Sequence, residues 1–245
     1  MMKIVSRIFG KCVGVANINL SKLFPTRGRV LMLHWVGNET LDEEYDRYRI
    51  SIQQFKFMLK WLKQKNTIRL ENWAIETDFY ALTIDDVPES FYTNAYPLLK
   101  EYAIPFTIFV NTSMLGKEGY INRDQLREMA QCELSTIGSH GIRHDFFTSY
   151  SKADALRELA DSRAQIENII NKPVDIFAFP YGSYYACGYR NKHLAAKVYD
   201  YAFGTINSPI TAPSLFKKYF LPRINVDEAF LKSINEDSQR YNTIL

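Results

Sequence analysis

Short apolar runs alternate along this chain with amphipathic stretches, a pattern that predicts strand followed by helix, many times over. Residues 29–36 (RVLMLHWV) read as a buried strand. Ser51-Ile52-Gln53-Gln54 has the form of a capping box, and the helix it opens carries Phe55, Met58, Leu59 and Leu62 on one face. Residues 79–84 form the next apolar run. Helical spacing returns near 94–102, where Pro97 fits only in a first turn. A strand over 105–110, a helix near 123–131 and a short strand over 135–138 ending at His140 follow. Ser151 caps the longest helix, with Leu156, Leu159, Ile166 and Ile170 as its inner face. Pro173 precedes a strand over 174–179, which runs into Pro180-Tyr181-Gly182. A helix near 191–199 and late strands near Tyr201 and Tyr219 complete the series.

Alternation of this kind, with no internal repeat, low-complexity segment or linker, predicts a single α/β domain over 29–245. Residues 1–28 read as an appended segment. In such folds the side chains at the carboxyl ends of the strands converge on one face. Asp85, Asp86, His140 and Tyr181 all fall just past predicted strand ends.

Composition narrows the picture. The chain has 245 residues, 47% of them hydrophobic, which is enough for one large core. Its net charge is +3, acidic and basic residues are interspersed, and no Lys/Arg run marks a nucleic-acid face. Cys12, Cys132 and Cys187 are odd in number and far apart. They form no C-x-x-C pair, which argues against a disulfide framework or a thiolate metal site and fits a reducing compartment. No apolar run approaches the roughly 18 residues that span a bilayer. Within residues 1–20, Lys3, Arg7 and Lys11 fall four apart beside Ile4, Val5, Ile8 and Phe9. That spacing is compatible with a basic amphipathic helix on a membrane surface or with a helix docked on the domain; Gly10 weakens either. The expectation is a cytoplasmic protein, with peripheral membrane contact as an added reading.

The chemistry concentrates in two places. Asp85 and Asp86 are adjacent in Leu82-Thr83-Ile84-Asp85-Asp86, and His140 and His144 are four apart in Ser139-His140-Gly141-Ile142-Arg143-His144. Two imidazoles and one carboxylate make the donor set of a catalytic zinc site, and the second carboxylate is then available as a base. Each piece alone has an ordinary structural explanation: a turn, a helix surface, a cap.

Together they resemble the polysaccharide deacetylases (carbohydrate esterase family four). Thr83-Ile84-Asp85-Asp86 looks like that family's T-F-D-D motif, His140 to His144 like its H-x-x-x-H motif, and Phe177-Ala178-Phe179-Pro180-Tyr181-Gly182 like its third motif. The segment from Ile104 to Val110 is similar to the strand after the first motif, and the resemblance spans about residues 29–226. It implies a single distorted (β/α) barrel with fewer than eight full repeats, and hydrolysis of N-acetyl groups from amino sugars of a carbohydrate substrate. It implies a divalent metal ion, zinc foremost, on Asp86, His140 and His144. Asp85 would be the general base, and the backbone N–H of Tyr181 would serve the oxyanion.

This sequence departs from the family pattern at three points. The Arg that usually orients the base, two residues before the Pro of the third motif, is Ala178; Arg223 in Leu221-Pro222-Arg223-Ile224 is the replacement expected, with Arg143 as the weaker one. The late Leu-x-His that supplies an acid is missing, since no His follows His193, which reads as exposed on a helix. His34, at the end of the first strand, is better placed as the missing acid or a substrate contact. The usual Gly after the paired aspartates is Val87. These departures keep open two alternatives: a glycan-binding protein without turnover, and an esterase acting on O-acetylated sugars.

Overall fold

The computed structural model describes residues 26–37, 48–74 and 76–244. The basic segment within residues 1–20 lies outside the described residues. The first strand, β1 (Thr26–Leu33), stands beside β4 (Phe79–Asp85), followed in space by β5 (Phe106–Val110), β6 (Ser135–Ser139), β7 (Ile176–Ala178) and β8 (Tyr201–Phe203). All these neighbours pair in parallel. On the other side of β1 lies β10 (Ile224–Asn225), with Leu31 opposite Ile224, and a short antiparallel strand β9 (Ile210–Thr211) also meets β1.

The chain leading into β10 closes this sheet. The N–H of Leu221 donates to the carbonyl of Ala202 at 2.9 Å, and the N–H of Gly204 donates to the carbonyl of Leu221 at 2.9 Å. One segment therefore bonds to β8 at one end of the sheet and to β1 at the other. The result is a curled parallel sheet with fewer than eight repeats, as the family resemblance implied.

Helices occupy the connections. α1 (Ile52–Leu62) starts at the Ser51–Gln54 capping box that the sequence predicts. α2 (Tyr96–Tyr102) has Pro97 in its first turn, and α3 (Arg123–Gln131) carries a second capping box from Asn122. α4 (Lys152–Ile170) is capped by Ser151. Two short helices, α5 (Tyr184–Cys187) and α6 (Tyr189–Ala195), follow β7, and α7 (Glu228–Ile244) ends the described chain. Among the described residues no helix is long and apolar enough to cross a membrane.

Strand residues alternate between two cores, as a period of two requires. Val30, Ala81, Phe109, Ile176, Ala178 and Phe203 pack inside the barrel, over Leu70 and Trp73 from the segment before β4. Leu31, Leu82, Ile84, Ile108 and Phe177 pack outward against the helices. Near the carboxyl end of the strands the interior turns polar: Thr83, Asp85 and Arg223 are all buried.

Several sequence expectations need correction. The first strand is broken at His34, because Trp35–Val36 (β2) leaves the main sheet to pair with Arg49–Ile50 (β3). No strand forms at Tyr219; the late strands are β8, β9 and β10, whose short apolar runs are too brief to show periodicity. On α4, Leu156 is only half-buried, while Ala155 and Glu158 face inward.

Candidate metal and catalytic site

Asp85 is the last residue of β4, on the same inward side as Thr83. The chain then turns sharply: Asp86 has φ 61° and Val87 φ 49°, and the Val87 N–H donates to the Asp85 carbonyl at 2.7 Å. The turn sends adjacent carboxylates in different directions. A left-handed conformation is unfavourable for a β-branched residue, with a cost of roughly 1–3 kcal/mol. Val87 is fully buried in the outer core, and that packing offsets the strain.

His140 follows β6 directly, and its N–H donates to the Val110 carbonyl at 2.8 Å. Its ring Nδ1 lies 2.7 Å from the carbonyl oxygen of Ala178. Only a protonated Nδ1 can bond a carbonyl, so the contact fixes the tautomer and leaves Nε2 as the ligating atom. That Nε2 is 3.8 Å from Asp86 Oδ1, and the Nε2 of His144 is 3.7 Å from the same oxygen. One donor atom from each of the three residues lies within 4.8 Å of the others. Ligands about 2.0–2.2 Å from a shared ion stand slightly closer together than this, so small side-chain adjustments complete the set. The residues present fit a divalent ion: two imidazole nitrogens and a carboxylate oxygen suit zinc, and other first-row cations accept the same donors.

Asp86 and His140 are buried, and burial is the first influence on the His140 imidazole, lowering its pKa against the opposing pull of Asp85 and then Asp86. Asp85 is held differently. Both of its oxygens accept from Arg223, Oδ1 from Nη1 at 2.6 Å and Oδ2 from Nη2 at 2.7 Å. Arg223 is itself fully buried; its Nε donates to the Gly204 carbonyl at 2.9 Å, Nη1 donates to Thr83 Oγ1 at 3.2 Å, and the guanidinium lies over the Phe109 ring. Burial alone would raise the pKa of Asp85, but the charge of Arg223, followed by that of His140, holds it well below the usual carboxylate range.

The guanidinium that meets Asp85 thus comes from Arg223, in the segment that closes the barrel. Ala178 keeps a different task, its carbonyl orienting His140. Arg143 does not reach Asp85. Its Nε donates to Glu158 at 2.7 Å, its side chain is more than half exposed, and it lies over Tyr150.

His34 sits in the break between β1 and β2, stacked on Trp35 and tilted against Tyr48. Burial lowers its pKa, opposed by the charges of Asp85 and Asp86, which places its ring within the electrostatic reach of both. Its Nδ1 is buried and makes no hydrogen bond. Tyr181 has φ 58°, in a turn whose carbonyls at 181 and 182 are held by the Thr205 Oγ1 and N–H. Gly182 is required there: at φ 54°, a Cβ would come within 2.3 Å of Thr205 Cγ2. The Tyr181 ring lies 4.5 Å from the rings of both His144 and Phe146. His193 is exposed, as its sequence suggested, and its ring meets that of Tyr189. Sequence reasoning missed Glu158; a single acid on the apolar stripe of α4 was the available signal.

A parallel barrel with a three-donor cluster and a guanidinium-held carboxylate at its carboxyl mouth defines a class of site before any relative is considered. The profile of the polysaccharide deacetylase family matches residues 75–201 of this sequence, and the chain belongs to that family. A poly-β-1,6-N-acetyl-D-glucosamine N-deacetylase of Staphylococcus aureus (strain MSSA476) is 27% identical over 215 residues, covering 77% of this chain and 71% of the relative. The protein YxkH of Bacillus subtilis (strain 168) is 26% identical over 214 residues, covering 82% of this chain and 72% of its own. Among solved structures, Streptococcus pyogenes deacetylase PplD in complex with acetate superposes with a TM-score of 0.73 at 22% identity, over 86% of this chain and 98% of that one.

Proposed function

We propose that this protein is a metal-dependent hydrolase that removes acetyl groups from N-acetylated amino sugars of a polysaccharide. The observation that carries this reading is the compact Asp86–His140–His144 cluster beside an Asp85 carboxylate clamped on both oxygens. The family membership and the named activity of the staphylococcal relative support the substrate class.

Asp86, His140 and His144 would hold the divalent ion, zinc foremost. When bound, such an ion supplies Lewis-acid polarisation of the acetyl carbonyl and a lowered pKa for water. The chain's own groups do the rest. Asp85 stays ionised throughout the neutral range, and each oxygen keeps a lone pair beyond those facing Arg223. It takes the proton of the attacking water. The bidentate clamp fixes its orientation, which is what a general base needs most. The Tyr181 backbone N–H donates to the oxygen that gains negative charge as the carbonyl carbon becomes tetrahedral. The proton that Asp85 takes from the water passes to the departing nitrogen as the C–N bond breaks, and His34, whose neutral ring feels the charges of Asp85 and Asp86, relays it. Acetate and a free amino sugar result.

The test combines metal analysis with acetate release from N-acetylglucosamine oligomers. Chelation should abolish release and added zinc should restore it. Asp86→Ala should lose both the ion and the activity, whereas Asp85→Asn should keep the ion and lose about 10²–10⁴-fold in kcat. Undiminished acetate release by Asp86→Ala would sink the proposal.

A further inference from the structure

Between the two histidines, residues 141–143 leave β6 by a tight path through Gly141 at φ 84°. The carbonyls of that path are held by the neighbouring loop, where Thr112 N–H donates to Gly141 and Ser113 N–H to Ile142, each at 3.1 Å. Its amide protons go elsewhere. Ile142 N–H donates to Glu158 Oε2 at 3.0 Å and Arg143 N–H to the same oxygen at 3.1 Å, while Arg143 Nε donates to Oε1 at 2.7 Å. Glu158 projects from the inner face of α4 with its side chain only 4% exposed. A carboxylate is seldom placed on an apolar helix face unless every lone pair is used. Here all three donors come from the segment joining the two imidazoles.

The two histidines depend on that segment unequally. His140 is anchored by its own N–H and by the Ala178 carbonyl on its ring. His144 is four residues further along, more exposed, and meets the rings of His140 and Tyr181. Its reach toward Asp86 is set by the course of 141–143.

We propose that Glu158 is a positioning residue for the metal centre: by gathering the amide protons of Ile142 and Arg143 from beneath, it holds His144 at coordinating distance. This rests on the reading that Asp86, His140 and His144 bind an ion. Removing an outer-shell partner of a metal ligand typically weakens metal binding about 10–100-fold.

The experiment titrates metal-free protein with zinc against a chromogenic chelator, and with cobalt by visible absorption. Glu158→Gln should bind zinc about tenfold more weakly than the parent and Glu158→Ala about a hundredfold, with the cobalt spectrum shifted toward an ion that has lost a nitrogen ligand. Glu158→Gln, close in shape, keeps the comparison available if the alanine variant does not fold. Glu167→Gln serves as reference for an acid on the same helix that receives Arg163 Nε and Val174 N–H and touches no part of the site. It should lower the thermal midpoint and leave zinc affinity unchanged. Glu158 variants that bind zinc as tightly as the parent, whatever their melting temperature, would overturn the inference. A parent protein that takes up neither ion would instead overturn the metal-dependent function on which it rests.

Discussion

Arg223 shows how a single residue can combine a structural and a chemical duty. Its guanidinium donates to both oxygens of a buried Asp85, a backbone carbonyl and a threonine hydroxyl, which uses four of its five N–H groups. Breaking such a pair from one side typically costs about 3–5 kcal/mol, since the remaining charge stays buried alone. Arg223→Met is therefore expected to lower stability in urea by about that amount and to raise the pKa of Asp85, moving the acid limb of the pH–rate profile upward. Arg223→Lys keeps the charge but not the two parallel bonds. It should fold and show an activity loss larger than its stability loss, which paired urea melts and acetate assays would measure.

Helix termini account for much of what the elements do. Ser51, Asn122 and Ser151 cap α1, α3 and α4 with side-chain acceptors, each contributing about 1 kcal/mol. At helix C-termini, Ala103 after α2 and Asn171 after α4 are left-handed, at φ 55° and 54°. Asparagine tolerates that conformation, but alanine carries a Cβ penalty. Ala103 is exposed and its side chain packs into no core cluster. Ala103→Gly should therefore stabilise the protein by about 0.5–1 kcal/mol, read as a higher urea midpoint with an unchanged slope. The same accounting explains Val87: there the left-handed residue is packed in the core, so relief of strain by glycine would be set against a lost side chain.

For the whole molecule, the polar mouth of the barrel makes stability depend on pH. Burial depresses the pKa of His34 and His140, so the folded state binds protons there less readily than the unfolded chain. The metal-free protein is then expected to be most stable above about pH 6.5 and to lose stability as pH falls below that value, because the unfolded chain gains protons first. A second loss should begin below about pH 4, where the unfolded form of Asp85 protonates while the folded carboxylate is still held ionised by Arg223. Urea midpoints measured from pH 8 to pH 3 should trace both falls; a flat profile between pH 7 and 5 would contradict the buried neutral imidazoles.

What could be read from residues alone was whatever depends on short stretches of chain. The Ser51–Gln54 capping box, the strand–helix alternation, and the Asp85-Asp86 and His140-x-x-x-His144 motifs each rest on spacing within a few residues, where hydrophobic period and local chemistry decide the outcome. Other features depend on groups far apart in the chain. The closing of the sheet by Leu221–Asn225, the two bonds by which Arg223 reaches Asp85 (expected from the family resemblance, not from local pattern), and the bonds from Glu158 to Ile142 and Arg143 each join segments brought together only by packing. Local periodicity carries no record of such meetings. Whether a buried charge at a given position is a defect or an anchor is settled by its partner, and the partner is chosen by tertiary structure.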